Sequence, residues 1–258
     1  MRPLQPIDTR NLFAPLQAEL LTVLRPLSAE DWTKQTVAPA WQVRDVAAHL
    51  LDTRLRRLSL QRDGHLRPPP HRPLVEFLND LNATWVEAAR RFSPRVLLEL
   101  LEATGPEACA VMESLPLHEP ALFGVAWAGE SESENWFDIG REYTEWWHHQ
   151  MQIRDAVGAP LLLEPRWLVP LLEISVRVLH GAPSTIVFEV DGLAFSVVGG
   201  QLFHGAAPSP AAVVRTDADT AWRMLYHALP REEILRRVTI EGDAGAAEVL
   251  IRARSVMV

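Results

Sequence analysis

Cysteine and lysine are nearly missing from this chain: Cys109 is its one cysteine and Lys34 its one lysine. A single cysteine excludes an internal disulfide and a thiolate metal cage, so any sulfur chemistry needs a thiol from outside. Arginine supplies the rest of the positive charge, the net charge is −8, and arginines such as Arg54, Arg56 and Arg57 lie scattered among acids. Without a basic stripe, nucleic acid is not an expected partner. Apolar runs are interrupted by charge or proline before they could span a bilayer, and the opening MRPLQPIDTR has no apolar signal core. A cytoplasmic protein without a membrane partner is expected, as a monomer or homodimer.

What is present suffices for packed cores: 258 residues, 48% hydrophobic and 22% charged. The first part reads as helices. LFAPLQAELLTVL (12–24) and VRDVAAHLLDTRLRRLSLQ (43–61) repeat apolar residues at three and four. A break at RPPPHRP (67–73), too short for a domain linker, precedes LVEFLNDLNATWVEAARRF (74–92), and Ser93 and Pro94 form an N-cap and first-turn pair for the next helix. After the polar GESESEN (129–135), a long periodic segment runs to Gly158. Four or more amphipathic helices without strands predict a bundle.

After about residue 160 the texture changes. A helix near PRWLVPLLEISVRVLH (165–180) is followed by STIVFEV, Asp191-Gly192 and LAFSVV, a hairpin signal. Gly199-Gly200 turns the chain into QLFHG, and AAVVRTD (211–217) makes a fourth strand, giving a small antiparallel sheet. Asp217 or Asp219 caps a helix through TAWRMLYHAL, and Asp243 caps AGAAEVLIRARSVM. Two domains are expected, a helical one over 1–160 and an α+β one over 161–258.

Sorting side chains at about 100° per residue places Ile139, Tyr143, Trp146, Ile153 and Val157 on one stripe of the long helix. Asp138, Glu142, Glu145, His149 and Gln152 form an adjoining stripe. Glu145 and His149, four apart, are either half of a metal site or an exposed helix pair contributing a few tenths of a kcal/mol. His148 also neighbours Glu145 but points further from the apolar face. His49, in DVAAHLLD, lies on the border between Val46 and Leu50 and the polar side holding Asp45 and Asp52. Such a histidine is either a ligand facing a cleft or a satisfied half-buried residue. Trp146 and Trp147 are either core or pocket wall.

The strings AWQVRDVAAHLLD (40–52), LNATWVEAARRFSPRVLLELL (81–101) and REYTEWWHHQMQIRDAVG (141–158) resemble the DinB-like superfamily, and within it the mycothiol-dependent maleylpyruvate isomerase family. VFEVDGLAFSVVGGQ, the run from VVRTD to AWRML, and VTIEGD resemble that family's C-terminal domain, which is similar in fold to sterol carrier proteins. The resemblance implies a DinB-like four-helix bundle followed by a small sterol-carrier-like α+β domain. It also implies one divalent metal held by His49, Glu145 and His149. This chain departs from the pattern in carrying Gln152 where many relatives have an acid three residues after the second histidine. Asp45, Asp138 or Glu142 are then the candidates for orienting the ligand histidines.

Two imidazoles and one carboxylate leave open coordination positions, the catalytic arrangement. Such nitrogen and carboxylate ligands suit zinc, nickel, iron or manganese, with zinc expected first and nickel second, and the resemblance implies mycothiol or a comparable small thiol as cosubstrate. Its chemistry is thiolate addition to a cis-enone acid, rotation about the former double bond, and elimination to the trans isomer. Arg223, Arg236 and Arg237 are candidates for holding substrate carboxylates, against ordinary surface ion pairing. No catalytic residue is assigned. The alternatives are an apolar-ligand-binding module lined by Phe188, Phe195 and Trp222, and a non-catalytic stress or regulatory protein with a structural metal.

Overall fold

The apolar spacing that predicts helices in the first part is also what packs them. In the computed structural model, which describes residues 1–65 and 73–255, that spacing becomes α1 (Phe13–Leu24), α2 (Val43–Arg57), α3 (Leu74–Ala89), α4 (Pro94–Ser114) and α5 (Asn135–Val157). The proline-rich stretch at 68–70 lies outside the described residues. Ser93 caps α4 as expected, its Oγ accepting from the Val96 N–H at 3.3 Å, with Pro94 in the first turn. Gly158 ends α5 in the left-handed conformation, φ 70°. One π turn, Leu58–Arg62, extends α2.

These helices belong to one compact unit, Asp8–Leu122 with Glu134–Leu162. α2 packs against α3, α4 and α5, and α1 against α4 and α5. Their shared core includes Leu20 and Leu24 from α1, Val46 and Leu50 from α2, Leu97 and Leu101 from α4, and Ile153 from α5, each at most 1% exposed. Burying one such side chain stabilises by about 1.5–3 kcal/mol, so packing holds the bundle more than helix propensity does.

The other unit comprises Met1–Ile7, Phe123–Ser133 and, among the described residues, those from Leu163 to Ser255. It holds β1 (Arg2–Pro3), β2 (Ile186–Val190), β3 (Leu193–Val198), β4 (Gln201–His204), β5 (Ala212–Thr216) and β6 (Thr239–Gly242). It also holds α6 (Pro165–Ser175), α7 (Ala218–Leu225), α8 (Arg231–Arg237) and α9 (Ala244–Ile251). The Asp191-Gly192 hairpin forms, with both residues at positive φ (47° and 84°), the geometry a two-residue turn of this kind requires. Asp217, not Asp219, caps α7, accepting from the Thr220 N–H at 2.7 Å.

The sheet is mixed, which corrects the expected antiparallel one. Its strand order is β1-β4-β3-β2-β5-β6, and β5 runs parallel to β2. Between β4 and β5, residues 205–211 carry the chain back past β3 and β2, so β5 starts at the same end as β2. The Ser196 hydroxyl pins this return, donating to the Gly205 carbonyl at 2.6 Å and accepting from the Ala207 N–H at 2.9 Å. Phe188 and Phe195 face each other across β2 and β3 and, like Trp222, are at most 2% exposed. The space beside the two phenylalanines is too narrow for a water molecule, so these rings are core. Among the described residues, no helix is long and apolar enough to cross a membrane.

Candidate metal centre

α2 begins where the Asp45 carboxylate accepts from the Gln42 N–H at 3.0 Å, which places His49 one turn further along. His49 meets α5 at the face carrying Glu145 and His149. His49 Nε2 and His149 Nε2 each lie 3.4 Å from Glu145 Oε1. One ligand atom from each of the three side chains falls within 4.8 Å of the others. The imidazoles are 2% and 1% exposed, whereas the carboxylate keeps 14%. The exposed-pair alternative for Glu145 and His149 is thereby set aside.

Burial, with His149 nearby, lowers the His49 pKa to about 4, so that ring is neutral near pH 7. Burial alone would raise the Glu145 carboxyl, but the His149 and His49 rings, whose Nε2 atoms face it, outweigh this and hold it well below its ordinary value. Neutral imidazole and ionised carboxylate are the forms that bind a cation. His49 Nδ1 and His149 Nε2 are buried without a hydrogen-bond partner among the described residues. Buried polar atoms are nearly always paired, so the unpaired His149 Nε2, which faces Glu145, fits a cation there. Trp41, half-buried, sits across both rings, with centroids 4.9 Å from His49 and 5.9 Å from His149. Composition gave no reason to single it out, although it lies in the string AWQVRDVAAHLLD.

None of the three acids proposed to orient the histidines does so. Asp45 takes both its Gln42 cap and the Arg90 guanidinium. Asp138 and Glu142 are buried on Arg57, whose Nη1 and Nη2 reach the Asp138 carboxylate at 2.7 and 2.8 Å while its Nε reaches Glu142 at 3.0 Å. Arg141 pairs with both acids, and Trp146 Nε1 donates to Glu142 at 2.9 Å. It is Gln152 that contacts His149, its Oε1 lying 2.9 Å from Nδ1.

This ion network predicts acid sensitivity. Burial would raise the Asp138 carboxyl, but Arg57 and Arg141 overcome it and lower its pKa from 3.8 to about 2. A carboxyl depressed in the folded state contributes stability above its unfolded value and loses it as pH falls through the folded one. Urea unfolding should thus show about 2 kcal/mol disappearing between about pH 4 and pH 2, and Asp138→Asn should lack that component.

The other candidates are accounted for locally. Trp146 and Trp147 are core, the first under the Arg54 guanidinium at 3.7 Å and the second donating to the Leu162 carbonyl at 3.1 Å. Arg223 pairs with Asp219, Arg236 with Glu233, and Arg237 with Glu233 and Asp219. Burial raises the Cys109 thiol to about 11, which leaves it un-ionised and inert near pH 7.

Fold and site together define a helical-bundle protein with a two-histidine, one-carboxylate constellation. The family model described as the mycothiol maleylpyruvate isomerase N-terminal domain matches residues 13–154, and the chain belongs to that family. A crystal structure of the mycothiol-dependent maleylpyruvate isomerase is similar at 12% identity and TM-score 0.62, covering 95% of this chain and 98% of that one. A histidine-to-alanine mutant of the same enzyme gives 13% identity and TM-score 0.61 with the same coverage. At such identities the likeness shows the fold. No curated protein matches the sequence significantly.

Proposed function

We propose that this protein is a metal-dependent isomerase or transferase that uses a low-molecular-weight thiol, mycothiol or a comparable one, on a small electrophilic acid. The observation that carries the reading is the convergence of His49, Glu145 and His149 within 4.8 Å, in a chain of this family. The proposal includes a division near residue 160, apart from Met1–Ile7 and Phe123–Ser133, which group with the later part, into a DinB-like four-helix metal-binding domain and a smaller sterol-carrier-like one.

His49, Glu145 and His149 would hold the cation, zinc first and nickel second. Bound there, a divalent ion supplies a Lewis acid that favours ionisation of a thiol. The chain's own residues do the rest of the preparation. Burial keeps His49 neutral, Gln152 fixes the His149 ring, and the Trp41 indole covers both imidazoles against water. The thiolate adds to the double bond of a cis-enone acid, the former double bond rotates as a single bond, and elimination returns the thiolate and the trans isomer.

The test is proton NMR of a cis-enone acid such as maleylpyruvate with the zinc-loaded protein and a thiol. Conversion that requires both thiol and protein, and that falls to background in His149→Ala, supports the reading. Protein that holds metal yet gives no thiol-dependent turnover with mycothiol, cysteine or glutathione would overturn it in favour of a non-catalytic metal protein.

A further inference from the structure

A neutral imidazole ligates only through the nitrogen that lacks a proton, and it has one such nitrogen. His149 Nε2 faces Glu145 Oε1, so the ring serves the site only if its proton sits on Nδ1. Nδ1 lies 2.9 Å from Gln152 Oε1. An amide oxygen accepts and never donates, so this contact requires the proton on Nδ1 and leaves the Nε2 lone pair directed at the site.

A second contact couples the same amide to the neighbouring ring. Gln152 Nε2 lies 3.0 Å from His148 Nε2. An amide nitrogen donates and never accepts, so the His148 nitrogen is the acceptor. Turning the amide by half a revolution would set N–H against His149 Nδ1 and oxygen against His148 Nε2. Both tautomers would then reverse, and His149 would aim an N–H at Glu145. His148 and His149 are 1% exposed and Gln152 4%, so water does not supply substitute partners.

We propose that His148 and Gln152 form an uncharged relay that locks His149 as its Nδ1–H tautomer and so presents Nε2 to the cation site. The consequence for the cation rests on the function proposed above, whereas the lock itself belongs to the metal-free chain. His148 and Gln152 are positioning residues, with neither one a ligand. An amide orients the ring without adding negative charge. The imidazole is then less electron-rich than one backed by a carboxylate, and the cation keeps more of its Lewis acidity.

The experiment has two readouts on the full chain. Long-range proton–nitrogen correlation spectra of the metal-free protein report the His149 tautomer, assigned by the signals missing from His149→Ala. Chelator competition reports zinc affinity for the wild type, Gln152→Leu, Gln152→Glu and His148→Leu, with circular dichroism to check the fold. The expected results are Nδ1–H in the wild type, zinc affinity lowered roughly 10–100-fold in Gln152→Leu, and affinity at or above wild type in Gln152→Glu, which restores an acceptor. An Nε2–H tautomer in the wild type, or a folded Gln152→Leu that binds zinc as the wild type does, would overturn the proposal. Should Gln152→Leu not fold, the wild-type tautomer decides alone. A wild type that shows Nδ1–H but takes up no zinc would refute the metal reading and leave the lock standing.

Discussion

Elemental analysis of the purified full chain is expected to find about one divalent ion per protein molecule, lost in His49→Ala, Glu145→Ala and His149→Ala alike. The three side chains come from two packed helices and offer three donors in all, so each deletion removes a third of the protein's ligand set. Changes behind a ligand cost roughly 10–100-fold in affinity, and removing a ligand itself should cost more. The bundle should survive each change, because its core is built from Leu20, Leu24, Val46, Leu50 and their neighbours and owes nothing to a cation. Circular dichroism separates the two effects. A wild type that holds no metal and takes none on reconstitution would end the enzyme reading.

Arg57→Leu is expected to be the most destabilising single change near the site. It leaves two carboxylates, Asp138 at 2% and Glu142 at 3% side-chain exposure, with Arg141 as their remaining guanidinium. Breaking a buried pair by removing one partner costs about 3–5 kcal/mol, because the charge left behind has lost both water and counter-ion. The melting midpoint should fall by roughly 10 °C. Replacing Arg57, Asp138 and Glu142 together by Leu removes the three buried charges, leaves only the part-exposed Arg141, and should recover much of the loss. Urea unfolding checks both. A cost for Arg57→Leu of less than about 1 kcal/mol would mean that the pair behaves as a solvated one.

Helices and their punctuation were legible in the sequence because they depend on neighbours three and four residues away. The segment 43–61 is α2 with its π turn, Ser93 and Gly158 mark the ends they were expected to mark, and the Asp191-Gly192 hairpin stands in place. Strand partners far apart in sequence were not legible. Nothing in AAVVRTD states that it will lie beside β2 and parallel to it, since that depends on the path of residues 205–211. β1 was missed as a strand because two residues carry no alternation to register, and β6 was missed as well.

At the site, helical rotation grouped Glu145 with His149 and set His148 aside, and resemblance supplied His49. The partners behind them were misjudged for one reason. Rotation says which residues share a stripe, but not what covers it. Asp138 and Glu142 share the stripe of Glu145 yet are held by Arg57 from α2. Gln152 drew notice only as a missing acid, whereas its amide makes both contacts through which the neighbouring rings are oriented.

The edge strand β1 has a consequence for how this chain is made. Arg2 and Pro3 pair with His204 and Phe203, about 200 residues later. At synthesis rates of roughly 5–20 residues per second, that partner emerges about 10–40 s after the segment that must meet it. The bundle helices, whose contacts span shorter stretches, can form during the wait, while this edge of the sheet closes late through one of the longest loops in the molecule. An N-terminal fusion or tag would therefore burden the last stages of assembly more than the first.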